Sequence, residues 1–171
     1  MGGLTPPRPL TERDDRDTFD CGRASLNSWL RQHAWRNQLG DVSRTSVTCD
    51  PENGAIAGFV TLSAMQIERA YLPKAWQRNR PDPLPAVLLG QLAVDLNYQG
   101  RGCANSLMVF ALRTAIRFSE NVGCFGVLTH LLDDEVRGFY RLFDFEDLPF
   151  DPKRGMIVRI LDLKHAGRGG E

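Results

Sequence analysis

Nothing in this sequence has the length of a membrane span: no apolar run reaches the roughly twenty residues a spanning helix needs. The opening MGGLTPPRPLTERDDRD carries no apolar core of the kind that leads a secreted chain, so a cytoplasmic protein without membrane attachment is expected. Cysteine pairing is missing too. Cys21, Cys49, Cys103 and Cys124 are irregularly spaced and form no C-x-x-C, which argues against a zinc centre and a disulfide framework and leaves buried thiols. There is no internal repeat and no net charge, with 21 basic and 21 acidic residues. What is present is ordinary for a globular chain. At 171 residues and 42% hydrophobic it is long enough to bury a real core in one domain. That domain is expected to span 1–171, with 1–16 an edge strand or loose arm and 164–171 a flexible tail.

Neutrality overall hides local excess. Arg23 to Arg44 holds four arginines against Asp41, and Glu68 to Arg80 holds four cations against one acid. Asp133 to Asp151 carries seven acids against Arg137 and Arg141. Local basic faces keep an anionic macromolecule open as a partner, and solvated surface is the plainer alternative.

Along the chain, Ser25 reads as an N-cap for a helix with an apolar face of Leu26, Trp29, Leu30 and His33, fading near Gly40. Arg44–Cys49 and Ala55–Met65 read as a hairpin about Asp50–Gly54, and Gly58 marks a close backbone approach. Residues 66–85 are a proline-rich basic connection, of a length that is usually functional or mobile. Val87–Val94 reads as a buried strand. Ala104, Leu107, Met108, Ala111, Leu112, Ala115 and Ile116 keep one helical face, stopped by Gly123. Cys124–His130 then reads as a strand parallel to the first across a right-handed crossover. Asp133 is the expected cap of a helix carrying Val136, Phe139, Tyr140 and Phe143, with Asp144 at its left-handed end. Met156–Leu163 reads as a last strand. The class is α/β, a mixed, mostly antiparallel sheet with helices on both faces.

Chemistry concentrates in Leu88–Ser106. Gln99-Gly100-Arg101-Gly102-Cys103-Ala104 fits [Gln/Arg]-x-x-Gly-x-[Gly/Ala] between a strand and a helix. Small residues let consecutive amides converge at a helix N-terminus, a cradle suited to a pyrophosphate. Such a turn also serves simply to pack a helix on a sheet.

Ala93-Val94, Tyr98–Ala104 and, some forty residues on, Phe139-Tyr140-Arg141-Leu142-Phe143-Asp144-Phe145 together resemble the GNAT superfamily of acetyl-CoA-dependent N-acetyltransferases. Phe19–Gly22, Leu26, Trp29-Leu30, Arg44-Thr45, Thr61–Ser63 and Leu89-Gly90 are similar to one subgroup, the TacT-like GNAT toxins of type II toxin–antitoxin systems. The resemblance implies a GNAT fold whose central parallel pair splays to bind acetyl-CoA. It implies a toxin that acetylates the α-amino group of aminoacyl-tRNA and blocks translation, neutralised by a ribbon-helix-helix antitoxin. Operator DNA would be bound through that complex, and the toxin would be a homodimer. Gln91 stands where the subgroup often has arginine, Gly138 interrupts a helix, and Asp144 replaces the glycine of an F-G-F ending.

Carried onto this chain, the resemblance places Leu92, Ala93 and Val94 along pantetheine, with the Val94 amide at the thioester oxygen. Gln99, Gly100, Arg101, Gly102, Cys103, Ala104 and Asn105 would hold the pyrophosphate, and Phe139 would also line the donor site. Tyr140 would protonate the departing thiolate; a core aromatic is its plainer reading. Arg31, Arg36, Arg44, Lys74, Arg78 and Arg80 are the tRNA phosphate candidates. His130 stands between a base and a structural strand end, and Trp29, Trp35 and Trp76 read as packing, with stacking on a nucleotide the alternative. The alternatives are a GNAT acting on a small amine or a protein N-terminus, and a silent CoA- or partner-binding module.

Overall fold

A computed structural model describes residues 3–168, with Arg168 described by its backbone alone. The strands are β1 (Arg8–Pro9), β2 (Arg44–Cys49), β3 (Ile56–Ile67), β4 (Leu84–Val94), β5 (Gly126–Thr129), β6 (Glu146–Asp147) and β7 (Met156–Arg159). They form a seven-stranded sheet in the order β1-β2-β3-β4-β5-β7-β6. The helices are α1 (Ala24–Trp29), α2 (Trp35–Leu39), α3 (Lys74–Gln77), α4 (Cys103–Ser119), α5 (Arg137–Arg141) and α6 (Ile160–Arg168). Two compact units emerge: unit 1 is Met1–Ser63 with Gly90–Ala111, and unit 2 is Ala64–Leu89 with Leu112–Glu171. Among the described residues, no helix is long and apolar enough to cross a membrane.

In unit 1 the hairpin forms where alternation and turn chemistry put it. β2 and β3 pair antiparallel from Arg44↔Leu62 to Cys49↔Ile56, and the Tyr98 hydroxyl donates to Asp50 of the connecting turn at 2.8 Å. β1 adds an edge to β2 through Arg8↔Val47. Leu30, Val47 and Phe59 are fully buried. Trp29 stacks on Phe59 at 6.1 Å, and Phe19 meets the same ring edge-on at 5.3 Å. Each such side chain contributes about 1.5–3 kcal/mol by leaving water.

The first helix departs from the expected face. It starts at Ala24 with Arg23 as its uncapped N-cap, so Ser25 is not the cap. A wide π turn over Leu30–Ala34 separates α1 from α2. That turn absorbs an extra residue, leaving His33 exposed and sending Leu30, Ala34 and Gln38 inward. Gln38 is satisfied there. Its Oε1 accepts the Thr45 amide at 2.8 Å, while Nε2 donates to the carbonyls of Thr45 and Leu10 at 3.2 and 3.3 Å.

Arg8 fixes the N-terminal arm through a two-pronged pair with Asp14 at 2.7 and 2.9 Å. Hydrogen bonding from Arg8 holds the Asp14 carboxyl below its ordinary value, against the opposing effect of burial. A depressed carboxylate stabilises the fold above its unfolded pKa of about 3.9 and loses that contribution as pH falls through the folded value. Asp14→Asn should therefore melt lower than wild type at pH 7 and show a smaller loss of melting temperature between pH 5 and pH 3. Parallel curves for the two proteins across that range would rule out the linkage.

In unit 2, β4 and β5 pair parallel as expected, in register from Ala86↔Gly126 to Leu88↔Leu128. β7 pairs antiparallel with β5, and the short β6 with β7. The basic connection is ordered by a 3-10 turn at Arg69–Tyr71 and by α3. Asp133 caps the next turn by accepting the Glu135 amide at 2.9 Å, and Asp144 is left-handed at φ +66°, both as read from sequence. The last strand is shorter than expected. It ends at Arg159, and Ile160–Arg168 is helix where the strand's end and a tail are predicted. Residues 169–171 of that tail, and Met1 and Gly2 of the arm, lie outside the described residues.

Candidate functional site

Short-range hydrogen bonds build the turn after β4 in unit 1. Asp95 accepts the Asn97 amide at 2.9 Å with one oxygen and the Asp20 amide at 3.0 Å with the other. Leu96 donates back to the Asp20 carbonyl at 2.9 Å, so the Phe19–Gly22 turn is laced to the strand's end. Gln99 is exposed, and its side chain folds back on the strand's end, with Nε2 donating to the Val94 carbonyl at 3.0 Å. Gly100 and Gly102 then take φ of +76° and +80°, where a side chain costs roughly 1–2 kcal/mol. Nothing lies within 4 Å of where a Cβ would stand on either glycine. Beyond them begins α4, 17 residues long, whose leading amides have no intrahelical acceptor. The result is an open cradle of backbone donors at a helix N-terminus.

The side chains of this turn sort themselves. Burial pushes the Cys103 thiol up to about 11, so its sulfur packs as a neutral group. Arg101 is exposed and lies 5.4 Å over the Tyr98 ring, a placement the sequence reading did not include. Ala104 is half-buried and Asn105 exposed in the first turn of α4. Leu92 and Val94 are half-buried and Ala93 is buried. Gly58 is the close approach expected of it. A Cβ there would stand 2.8 Å from Cys103 Sγ, 2.9 Å from Leu107 Cδ1 and 3.1 Å from the Ala93 carbonyl.

Unit 2 shows how the parallel pair opens. Backbone pairing of β4 with β5 covers Ala86–Leu88, and at Leu89 the carbonyl takes a hydrogen bond from Thr129 Oγ1 at 3.0 Å instead. A side-chain rung thus ends the ladder, and β4 runs on to Val94. Thr129 also neighbours the Tyr140 hydroxyl. Tyr140 is 8% exposed, its ring fixed by edge contacts with Phe139 at 5.5 Å and Phe145 at 5.3 Å. Burial raises its pKa above the ordinary tyrosine value, only partly offset by Thr129. The phenol therefore keeps its proton at neutral pH.

His130 is exposed at the end of β5, with Nε2 3.6 Å from Asp151 Oδ2. Asp151 is buried and accepts the Lys153 and Gly155 amides, each at 3.0 Å. Sequence reading missed both Thr129 and Asp151. A strand-end threonine and one acid in an acidic stretch carry no local signal of their partners.

The basic candidates divide by unit. In unit 1, Arg31 and Arg36 are exposed on the first helical stretch, while Arg44 is engaged with Asp41 and donates to the Gln38 carbonyl at 2.9 Å. In unit 2, Lys74 lies 5.3 Å over Phe150, Arg80 lies 5.1 Å over Phe125, and Arg78 is exposed. Trp76 is a packing residue, with Arg159 4.2 Å over its ring.

Comparison with known proteins extends this geometry. Residues 10–145 match the model of the acetyltransferase (GNAT) family. A tRNA-acetylating toxin of Mycobacterium tuberculosis is 38% identical over 158 residues, covering 92% of this chain and 94% of that protein. The solved structure of AtaT complexed with acetyl-methionyl-tRNAfMet is similar with a TM-score of 0.88 at 28% identity, over 96% of this chain and 99% of that one. An AtaT mutant toxin bound to acetyl-CoA and the C-terminus of the antitoxin AtaR gives 0.81 at 25% identity, over 96% and 98%.

Proposed function

Because the chain belongs to the acetyltransferase (GNAT) family, we propose that it is a toxin that acetylates aminoacyl-tRNA on its α-amino group and so blocks translation. It is an N-acetyltransferase, and acetyl-CoA is its donor. The observation that carries the reading is the near full-length relation to a tRNA-acetylating toxin. An antitoxin restrains it; ribbon-helix-helix architecture, operator DNA held through the complex, a homodimeric toxin and a cytoplasmic setting complete the proposal.

The chain's own residues fit the donor. The open face over Gly100 and Gly102 and the stretch of β4 beyond its last rung to β5 are what a pyrophosphate and a pantetheine arm need. Backbone amides of Gln99–Asn105 hold the pyrophosphate, assisted by the α4 terminus and by Arg101 once it leaves Tyr98. The backbone of Leu92, Ala93 and Val94 holds the pantetheine amides, the Val94 amide donates to the carbonyl oxygen, and Phe139 lines the arm. Acetyl-CoA supplies the activated acetyl group. The acceptor α-amine titrates near 7.7–8.0 in peptides and lower beside an ester, so a neutral fraction exists without a strong base. Tyr140 holds a proton at neutral pH and delivers it to the sulfur as the amine nitrogen bonds the acetyl carbon and the C–S bond breaks; the proton the nitrogen sheds passes to water, from which the phenolate is reprotonated. Arg31, Arg36, Arg44, Lys74, Arg78 and Arg80 contact tRNA phosphates, with Arg44 the weakest of them because Asp41 already pairs it.

Incubation of the purified protein with labelled acetyl-CoA and total charged tRNA tests this reading. Label is expected on aminoacyl-tRNA and should leave it on deacylation. Label in polyamines with none in aminoacyl-tRNA would move the activity to a small-amine substrate.

A further inference from the structure

Unit 2 contains a hollow of about 430 Å³ that the donor chemistry does not use. Buried Leu84 and Ile160 line it with half-buried Phe125, and Arg80, Arg159 and Lys164 are also among its lining residues. The three cations come from distant parts of the chain: the basic connection, the end of β7 and α6. A ladder of flat groups braces them. Arg159 covers Trp76 at 4.2 Å, Trp76 meets Phe125 at 6.3 Å, and Arg80 covers Phe125 at 5.1 Å. Arg159 is balanced by Asp162 through contacts of 2.8 and 3.1 Å, while Arg80 and Lys164 stand exposed.

We infer that this hollow is a contact site for the RNA of the acceptor, with phosphates at Arg80 and Lys164 and a nucleotide's apolar faces against Leu84, Phe125 and Ile160. The inference rests on the proposed activity toward tRNA and adds to it a surface that no single basic segment of the sequence contains. Charge selects the occupant. Arg80, Arg159 and Lys164 line the hollow together, and the connection that supplies Arg80 carries two further exposed cations, Lys74 and Arg78. Cations around an apolar hollow suit a polyanion that also has flat apolar faces, as RNA does. The Arg80 guanidinium, laid on Phe125, keeps an N–H edge for phosphate oxygens, whereas that of Arg159 is committed to Asp162.

The test is Arg80→Glu with Lys164→Glu in the full chain, both at exposed positions, with binding of total aminoacyl-tRNA measured across salt. The dissociation constant should rise about tenfold or more, and the log–log salt slope should fall by about 1.4–1.8, at 0.7–0.9 for each contact removed. Affinity for acetyl-CoA should be unchanged. Arg113→Glu with Arg117→Glu, an equal charge reversal on exposed positions of α4, should leave tRNA binding as it was. An unchanged slope in the first variant, or an equal loss in the second, would overturn the inference. So would antitoxin binding that weakens while tRNA binding holds, because the hollow would then belong to an acidic peptide. A wild-type protein that neither binds nor acetylates aminoacyl-tRNA would overturn the proposed activity and this inference with it; an active wild type with unaffected variants overturns the inference alone.

Discussion

Tyr140→Phe should lower turnover about 10²–10⁴-fold, the range that a positioned acid contributes, and leave acetyl-CoA affinity almost unchanged. The ring is held by Phe139 and Phe145 through edge contacts that phenylalanine keeps, so loss of folding is not expected to confound the result. Only the hydroxyl is removed, with its contact to Thr129. Burial raises the pKa, which keeps the phenol protonated and neutral across the whole range in which the acceptor amine becomes neutral. Activity in wild type should rise with pH through the amine's titration and fall only above the ordinary tyrosine value of about 10. Single-turnover transfer to aminoacyl-tRNA, alongside calorimetric acetyl-CoA binding, measures both halves. Equal turnover in the two proteins would remove Tyr140 from the chemistry and return it to the core.

Gly58→Ala should destabilise the protein by about 1–3 kcal/mol, as overpacking does, and raise the KM for acetyl-CoA. The new methyl meets Cys103 Sγ and Leu107 Cδ1 below 3.0 Å and the Ala93 carbonyl at 3.1 Å, so no single rotamer change relieves it. What must give way is the start of α4 or the strand before it, the two elements that aim the cradle's amides. Melting should fall by roughly 2–4 °C per kcal/mol for a chain of this size. Gly123→Ala is the control. Only Pro85 Cγ lies near its Cβ position, at 3.9 Å, and its effect should be small. Adding Cys103→Ala to Gly58→Ala should recover part of the loss, since contacting residues are non-additive. A Gly58→Ala protein with wild-type melting and KM would show that α4 is free to shift without consequence.

Both predictions concern places where sequence and structure agree, and the agreement has physical roots. The strand–turn–helix was legible because period, glycine placement and helical spacing all point the same way within twenty residues. Asp144 was legible because an acid in place of glycine at a helix end still has to be left-handed. The failures are equally local in cause. Met-Ile-Val-Arg-Ile-Leu-Asp-Leu is apolar enough for either strand or helix, and Arg159 pairing with Asp162 favours the turn at Ile160 that periodicity cannot resolve. A 3.6-residue count puts His33 inward, and the π turn at Leu30–Ala34 breaks that count. Thr129 beside Tyr140, and Asp151 beside His130, are pairings across the chain with no short-range trace. In unit 2 the basic residues of the hollow come together only through folding, which is why Arg159 and Lys164 escaped a reading by charge clusters.

One end of the sheet carries a further consequence. β1 is only two residues long and follows Pro6 and Pro7, and its second residue is Pro9, so three of its local positions have no amide to offer. Behind it, Gln38 occupies both the amide and the carbonyl of Thr45. An incoming strand would find neither a run of donors nor a free rung there, which blunts this border against aggregation. A peptide partner seeking to extend the sheet by backbone pairing must look elsewhere, and one that docks here must be recognised by its side chains.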